Sequence, residues 1–208
     1  MSGKPGWLIA LEQERSSKMD DLFRGKLVHL ADDDPETLGK TFSRWTRNSE
    51  YRRLLDSEPP SLWSAKNIKD WFEKELEKTA QDSFFFTIHT NDMDKLIGFV
   101  ALRGVLWNQG DAWVGIGIGE PEYWGKGYGT DAMRLALRYA FMELNLDRVT
   151  LVVFADNPRA IRSYDKAGFK LEGMERQVVR RDGKIGDLLT MGILRQEYLA
   201  QNVWRNSP

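Results

Sequence analysis

Between Ala112 and Arg138 the chain runs from a segment in which Gly115, Gly117 and Gly119 alternate with Val114, Ile116 and Ile118, through Trp124-Gly125-Lys126-Gly127-Tyr128-Gly129-Thr130, into an amphipathic stretch opening at Asp131. A regular strand does not favour three glycines, so the first segment reads as a strand with a bulge or a splayed edge whose backbone groups are left for a ligand. The alternate glycines of the loop let the backbone curl closely around a bound group. The helix that follows presents unpaired N–H groups and a positive dipole end. The stretch therefore reads as an anion-binding loop, most naturally for phosphates, set inside a β-α-β unit.

The flanking elements follow from periodicity and turn chemistry. The residues 131–145 are mostly apolar apart from Asp131, Arg134, Arg138, Glu143 and Asn145, as in a helix that covers a sheet. Arg148–Phe154 is β-branched and reads as a strand parallel to 112–119 through that crossover. Asn157-Pro158 opens the next helix, which Gly168 closes. Upstream, Leu27–Leu30 reads as a first strand, Asp34-Pro35 as a helix start, and Leu38, Phe42 and Trp45 as that helix's buried face. The segment 49–63, with Pro59-Pro60, reads as a loop, followed by a second helix from Ser64 bearing Ile68, Trp71, Phe72 and Leu76. Phe84–Ile88 and Leu96–Leu102 read as an antiparallel hairpin. So do Gln177–Arg181 and Ile185–Leu194, joined at Asp182-Gly183. Residues 1–22 are expected to be an N-terminal extension, a short docked helix or a tail, 23–196 one domain, and 197–208 a C-terminal tail.

Thirty basic against 31 acidic residues leave a net charge of -1, which advertises neither nucleic acid nor an acidic membrane. The absence of cysteine removes disulfides, thiolate metal sites and a cysteine nucleophile together, and two histidines far apart in sequence, His29 and His89, do not suggest a metal cluster. No apolar run approaches the ~20 residues of a membrane span, and no signal-peptide pattern opens the chain. A soluble, cytoplasmic protein without a metal is the expectation.

The loop departs from the dinucleotide and nucleotide-triphosphate glycine motifs, both of which also belong after the first strand of a parallel sheet. The order of elements instead resembles the GNAT superfamily of N-acetyltransferases. Its Gln/Arg-x-x-Gly-x-Gly/Ala loop is matched by Trp124-x-x-Gly127-x-Gly129, with Trp124 in the Gln/Arg place. Asn157-x-x-Ala160-x-x-x-Tyr164-x-Lys166-x-Gly168-Phe169 is similar to the second half of the family's cofactor site. Arg181-Asp182-Gly183-Lys184 with Asp187-Leu188-Leu189 resembles the closing hairpin of the branch containing ribosomal-protein N-terminal acetyltransferases and their small-molecule relatives. Together the three motifs cover roughly Lys26 to Leu194.

The resemblance implies a mixed α/β fold with a mostly antiparallel sheet, a splayed pair of strands at 112–119 and 148–154, and flanking helices. It implies acetyl-CoA as co-substrate. Ile116, Ile118, Trp124, Gly125, Lys126, Gly127, Tyr128, Gly129, Thr130, Asn157, Arg159 and Lys166 would hold it. The acceptor would be a primary amine, on a small molecule or a protein N-terminus, attacking directly in a ternary complex. A homodimer is compatible with this, and a catalytically silent acyl-CoA sensor or scaffold of the same fold stands as the alternative, with a nucleotide-binding module more distant. An alkylamine of pKa ~10.4 is free base in only about one molecule in a few thousand at neutral pH, so a route for its proton is needed. Tyr164 is expected as the acid for the leaving thiolate, and a backbone N–H within 116–118 as the oxyanion donor. Glu120 is expected as the base, followed by Glu122 and Asp187.

Overall fold

A computed structural model describes residues 22–77, 82–181 and 183–202 of the chain; the expectation for the N-terminal extension and the turn residue Asp182 lie outside them. One seven-stranded sheet has the order β1-β2-β3-β4-β5-β7-β6. Its strands are β1 (Val28–Ala31), β2 (Phe84–Thr90), β3 (Leu96–Leu106), β4 (Asp111–Ile118), β5 (Arg148–Phe154), β6 (Lys170–Arg181) and β7 (Lys184–Leu194). Each neighbouring pair is antiparallel except β4 and β5.

The three consecutive phenylalanines of β2 show why the sheet is covered on both faces. Side chains alternate along a strand, so Phe84 and Phe86 join the main core while Phe85 joins a second cluster with Leu38, Ile68 and Phe72. Helix α4 (Tyr128–Arg138) supplies the main core with Ala132, Met133, Leu135, Ala136 and Leu137, all buried. The second cluster belongs to α1 (Pro35–Trp45) and α3 (Ala65–Glu77). The N-terminus of α1 is fixed as its sequence dictates, with Asp34 Oδ1 accepting from the Glu36 and Thr37 amides at 2.9 and 3.0 Å and Pro35 at the first turn.

Two elements differ in kind from the sequence reading, and two strands are longer than expected, β6 starting at Lys170 and β3 ending at Leu106. The stretch expected as one loop begins with α2 (Ser49–Leu55), whose first turn is capped by Asn48 accepting from the Tyr51 amide at 3.1 Å. Seven residues are too short to show a helical period, and Pro59-Pro60 dominates the local pattern. The helix expected through Asn145 instead changes at Tyr139 into a wider π turn through Glu143, in which the Leu144 amide bonds to the Tyr139 carbonyl. Helix α5 (Pro158–Ala167) ends at Gly168, whose φ of 108° is the left-handed conformation that glycine tolerates, and α6 (Arg195–Asn202) follows β7.

No helix among the described residues is long and apolar enough to cross a membrane. The two histidines, distant in sequence, are direct partners across β1 and β2. With Asp94 of the turn after β2 they place ligand-capable atoms within 4.8 Å of one another. Their ring nitrogens are engaged by Asn91, Asp33 and Asp94.

Candidate active site

Strands β4 and β5 pair only at Asp111–Trp113 with Arg148–Thr150, while β4 continues its pairing with β3 as far as Ile118. From Val114 onward the β4 edge facing β5 therefore carries backbone groups with no strand partner, and buried groups of that kind require another one. Glycines along this part of β4 let side chains of α1, α2 and β3 pack closely over it. A Cβ on Gly117 would come 2.8 Å from the Phe99 ring, 3.0 Å from the Tyr51 hydroxyl and 3.1 Å from Leu55, and one on Gly119 would enter the Trp45 indole at 2.0 Å.

Two cavities open from this split. One, of about 520 Å³, runs along Ile116, Gly117 and Ile118 to the glycine loop and the first turn of α5. The other, of about 730 Å³, lies between α1, α2, α3 and the sheet face carrying Phe85 and Phe99. They share Tyr51, Leu54, Leu55, Ile116, Asn157 and Tyr164. That junction is where a group held in one cavity can meet a group held in the other.

The smaller cavity has the chemistry of an anion site. Gly127 caps α4 in the left-handed region, with φ 95° and no side-chain cap, so the first amides of α4 lack a side-chain acceptor. Gly125 is also left-handed, at φ 72°. Lys26, Arg134, Arg159, Arg162 and Lys166 contribute cationic residues to the lining. Asp131, the only lining carboxylate among the described residues, is committed elsewhere, accepting from the Leu27 and Val28 amides at 2.7 and 3.2 Å. Thr130 and Ser163 meet through their hydroxyls at 2.7 Å, joining the loop's helix to α5. Phosphates and the main-chain hydrogen-bonding groups of an extended amide arm fit these donors and the free β4 edge.

Trp124 explains its own departure from the Gln/Arg pattern. Its indole Nε1 donates to the Ile118 carbonyl at 2.7 Å and its ring carries the Arg159 guanidinium at 4.0 Å. It thus ties the loop back to the end of β4 and orients a cation at the cavity wall. Arg159 also lies 3.7 Å from Glu50. Asn157 is buried and its side chain accepts from the Ala160 amide at 3.1 Å, so it caps α5 while lining both cavities. Ile116, Ile118, Trp124, Gly125, Gly127, Gly129, Thr130, Asn157, Arg159 and Lys166 line the smaller cavity; Lys126 and Tyr128 do not. Lys126 is exposed, and Tyr128 packs edge-on against Tyr123, their centroids 4.9 Å apart.

Tyr164 is 9 % exposed and sits at the junction, where burial alone pushes its phenol up to about 12. The carboxylates are placed differently from expectation. Glu120 lines neither cavity; its Oε1 accepts from the Trp45 indole at 2.9 Å and pairs with Arg44, fixing the end of β4 to α1. Glu122 pairs with Lys95 at 2.8 Å, and Asp187 accepts from the Gln177 amide at 2.8 Å across the irregularity in β6. None of the three reaches the junction, because each is a partner that holds backbone or helix in place.

Sequence reasoning missed Tyr51 and the cations Lys26, Arg134 and Arg162. A signal existed for Arg162: Arg159, Arg162 and Lys166 recur at i, i+3 and i+7, one face of a helix. None existed for Tyr51, whose position depends on the unrecognised α2. Its hydroxyl is buried without a hydrogen-bond partner, and burial chiefly, opposed by Arg52, drives its pKa upward.

Comparison with known proteins agrees with this geometry. The profile of the acetyltransferase (GNAT) domain matches residues 24–170. A spermidine N(1)-acetyltransferase of Escherichia coli is 31% identical over 149 residues, 67% of this chain and 80% of that protein. A probable N-acetyltransferase of Bacillus subtilis is 36% identical over 136 residues, 64% of this chain and 71% of its own length. Among solved structures, the spermidine N-acetyltransferase of Vibrio cholerae in complex with CoA and spermine superposes with a TM-score of 0.71 at 26% identity, over 83% of this chain and 96% of that one.

Proposed function

This chain belongs to the GNAT family of N-acetyltransferases, enzymes that take the acetyl group of acetyl-CoA to an amine, and on that premise we propose that its acceptor is a small-molecule primary amine, held in the larger cavity and acetylated directly at the junction. The observation that carries this reading is the meeting of the two cavities at Tyr51, Ile116, Asn157 and Tyr164. One cavity is cationic and lined by a glycine loop; the other is enclosed by α1, α2 and α3.

In this reading the α4 amides, Gly125, Gly127 and the surrounding Lys and Arg side chains hold the donor's phosphates, and the free edge of β4 aligns its pantetheine arm. A backbone N–H of the 116–118 segment faces the thioester oxygen. The amine lone pair forms the new C–N bond, the C–S bond breaks, the nitrogen loses a proton and the thiolate gains one. Tyr164 serves that exchange as a relay. A phenol held near 12 opposite a thiol of pKa ~8.5 would lose about 5 kcal/mol if it ended as phenolate. Giving its proton to sulfur while receiving one from the acylated nitrogen leaves no charge on the buried ring.

The test is release of CoA thiol from acetyl-CoA with a panel of amines, with the product identified by mass, beside thermal stabilisation by millimolar CoA. Turnover with a free amine is expected. Stabilisation by CoA with no turnover of any amine would instead favour a silent acyl-CoA sensor, and acetylation of peptide N-termini alone would remove the small-molecule acceptor.

A further inference from the structure

We infer that the acceptor is a monoamine carrying an aromatic body rather than a polyamine, an inference that rests on the assignment of the larger cavity to the acceptor. The floor of that cavity is a connected set of rings. Phe42 meets Phe72 edge-on at 5.3 Å and Phe99 at 5.6 Å, Phe72 meets Phe85 at 5.3 Å, and Phe85 stacks on Phe99 at 5.7 Å with 17° between planes. Trp63 and Trp71 stand at the wall, 40% and 37% exposed. A volume of about 730 Å³ admits a one- or two-ring body with a short side chain.

Charge decides against a polycation. The residues lining this cavity include two carboxylates, Asp56 and Glu58, and two guanidiniums, Arg52 and Arg103. Asp56 is already paired with Arg52 at 3.2 Å. A spermidine-like trication would bring three positive charges to a wall whose own charges balance, and each ammonium left unpaired in an apolar setting costs several kcal/mol. An aromatic monoamine brings one ionisable group. Desolvation in the cavity favours the neutral amine, against the cation–π attraction of the ring faces, and one ammonium has one proton to lose before the free base reaches the junction.

One polar group remains to receive the nitrogen. Tyr51 lines both cavities and is 6% exposed, and its hydroxyl is buried without a hydrogen-bond partner. That hydroxyl would lie 3.0 Å from a Cβ on Gly117, in the strand assigned to the donor's arm. A neutral phenol oxygen accepts an N–H of the free amine and leaves the nitrogen lone pair directed at the acyl carbon. A buried hydroxyl without a partner calls for one, and the substrate's N–H can supply it.

The experiment compares 2-phenylethylamine and tryptamine with spermidine and a short peptide, at fixed acetyl-CoA, using thiol release, with CoA-induced thermal stabilisation read separately. The expected result is a kcat/KM for the aryl amines at least about 30-fold above that for spermidine, the effect of burying one aromatic body. Tyr51→Phe is expected to raise KM for the aryl amine about 10-fold with CoA stabilisation unchanged. Stabilisation by CoA with spermidine or the peptide as the better substrate, or with no turnover of the aryl amines, overturns the acceptor class and leaves the donor assignment standing. Absence of CoA stabilisation overturns the donor assignment and this inference with it. An unaltered KM in Tyr51→Phe overturns the role of that hydroxyl.

Discussion

Replacing Tyr164 with Phe removes one oxygen and leaves the ring, which packs against Phe169 with centroids 6.1 Å apart, in place. Fold and CoA binding should therefore be preserved while the proton relay is lost. Removing a positioned proton donor typically lowers turnover by about 10²- to 10⁴-fold, and the upper part of that range is expected because no carboxylate among the described residues lies at the junction to substitute. The assay is steady-state kcat with acetyl-CoA, beside the shift in Tm with CoA. A second donor sharpens it: an acetyl thioester with a much less basic leaving thiol needs little protonation, so the deficit of Y164F should shrink with that donor. The pH dependence has a definite sign. A phenol at about 12 in the fold and ~10 unfolded keeps its stability contribution below pH 10 and loses it as pH rises from 10 to 12, by roughly 3 kcal/mol, a loss that Y164F should not show in alkaline unfolding. A Y164F enzyme within threefold of the parent kcat, with CoA stabilisation intact, would refute the relay.

Glu120→Gln removes the charge that pairs with Arg44 but keeps an oxygen for Trp45. It is expected to lower stability by about 1–3 kcal/mol in urea melts without altering the pH profile of kcat; loss of the acid-side limb of that profile would restore Glu120 as the base. Gly119→Ala drives a methyl into the Trp45 indole and should destabilise by about 1–3 kcal/mol, measured by denaturant midpoint. Arg181→Ala removes donors to the Arg53 and Asp56 carbonyls at the end of α2 and a cation over the Phe154 ring. Loosening α2 should raise the acceptor KM several-fold and leave that of acetyl-CoA unchanged. Burial pulls the His89 imidazole down, but the Asp33 carboxylate and Asp94 outweigh it and its pKa is raised. The stabilisation is full below pH ~6.5 and fades as pH climbs through the folded value, so Asp33→Asn should flatten thermal stability measured between pH 6 and 8.

The donor half of the site was legible in the residues because it is built locally. A glycine-spaced strand, a loop with left-handed glycines and a helix start are consecutive, and their chemistry is carried by backbone groups whose geometry short-range sequence dictates. The strands at 148–154 and the helix after Asn157 followed for the same reason. The acceptor half was not legible. Tyr51 depends on a seven-residue helix too short to show a period, and the Phe42, Phe72, Phe85 and Phe99 floor draws on four separate elements. Helical periodicity marked a buried face with Phe42 and another helix bearing Phe72, and Phe85 and Phe99 read only as strand residues, without telling which rings would wall a cavity.

The carboxylates mark the division most sharply. Glu120 closes the glycine-rich strand in sequence and invited a chemical role, yet folding brings Arg44 and Trp45 to it and leaves it out of the lining of both cavities. Sequence by itself determined the backbone cradle, since turns, caps and alternation are properties of neighbouring residues. Only the tertiary structure decided which side chains meet at the junction, because that depends on long-range packing of helices against a split sheet, where a charge's partner and an amine's surroundings are both set.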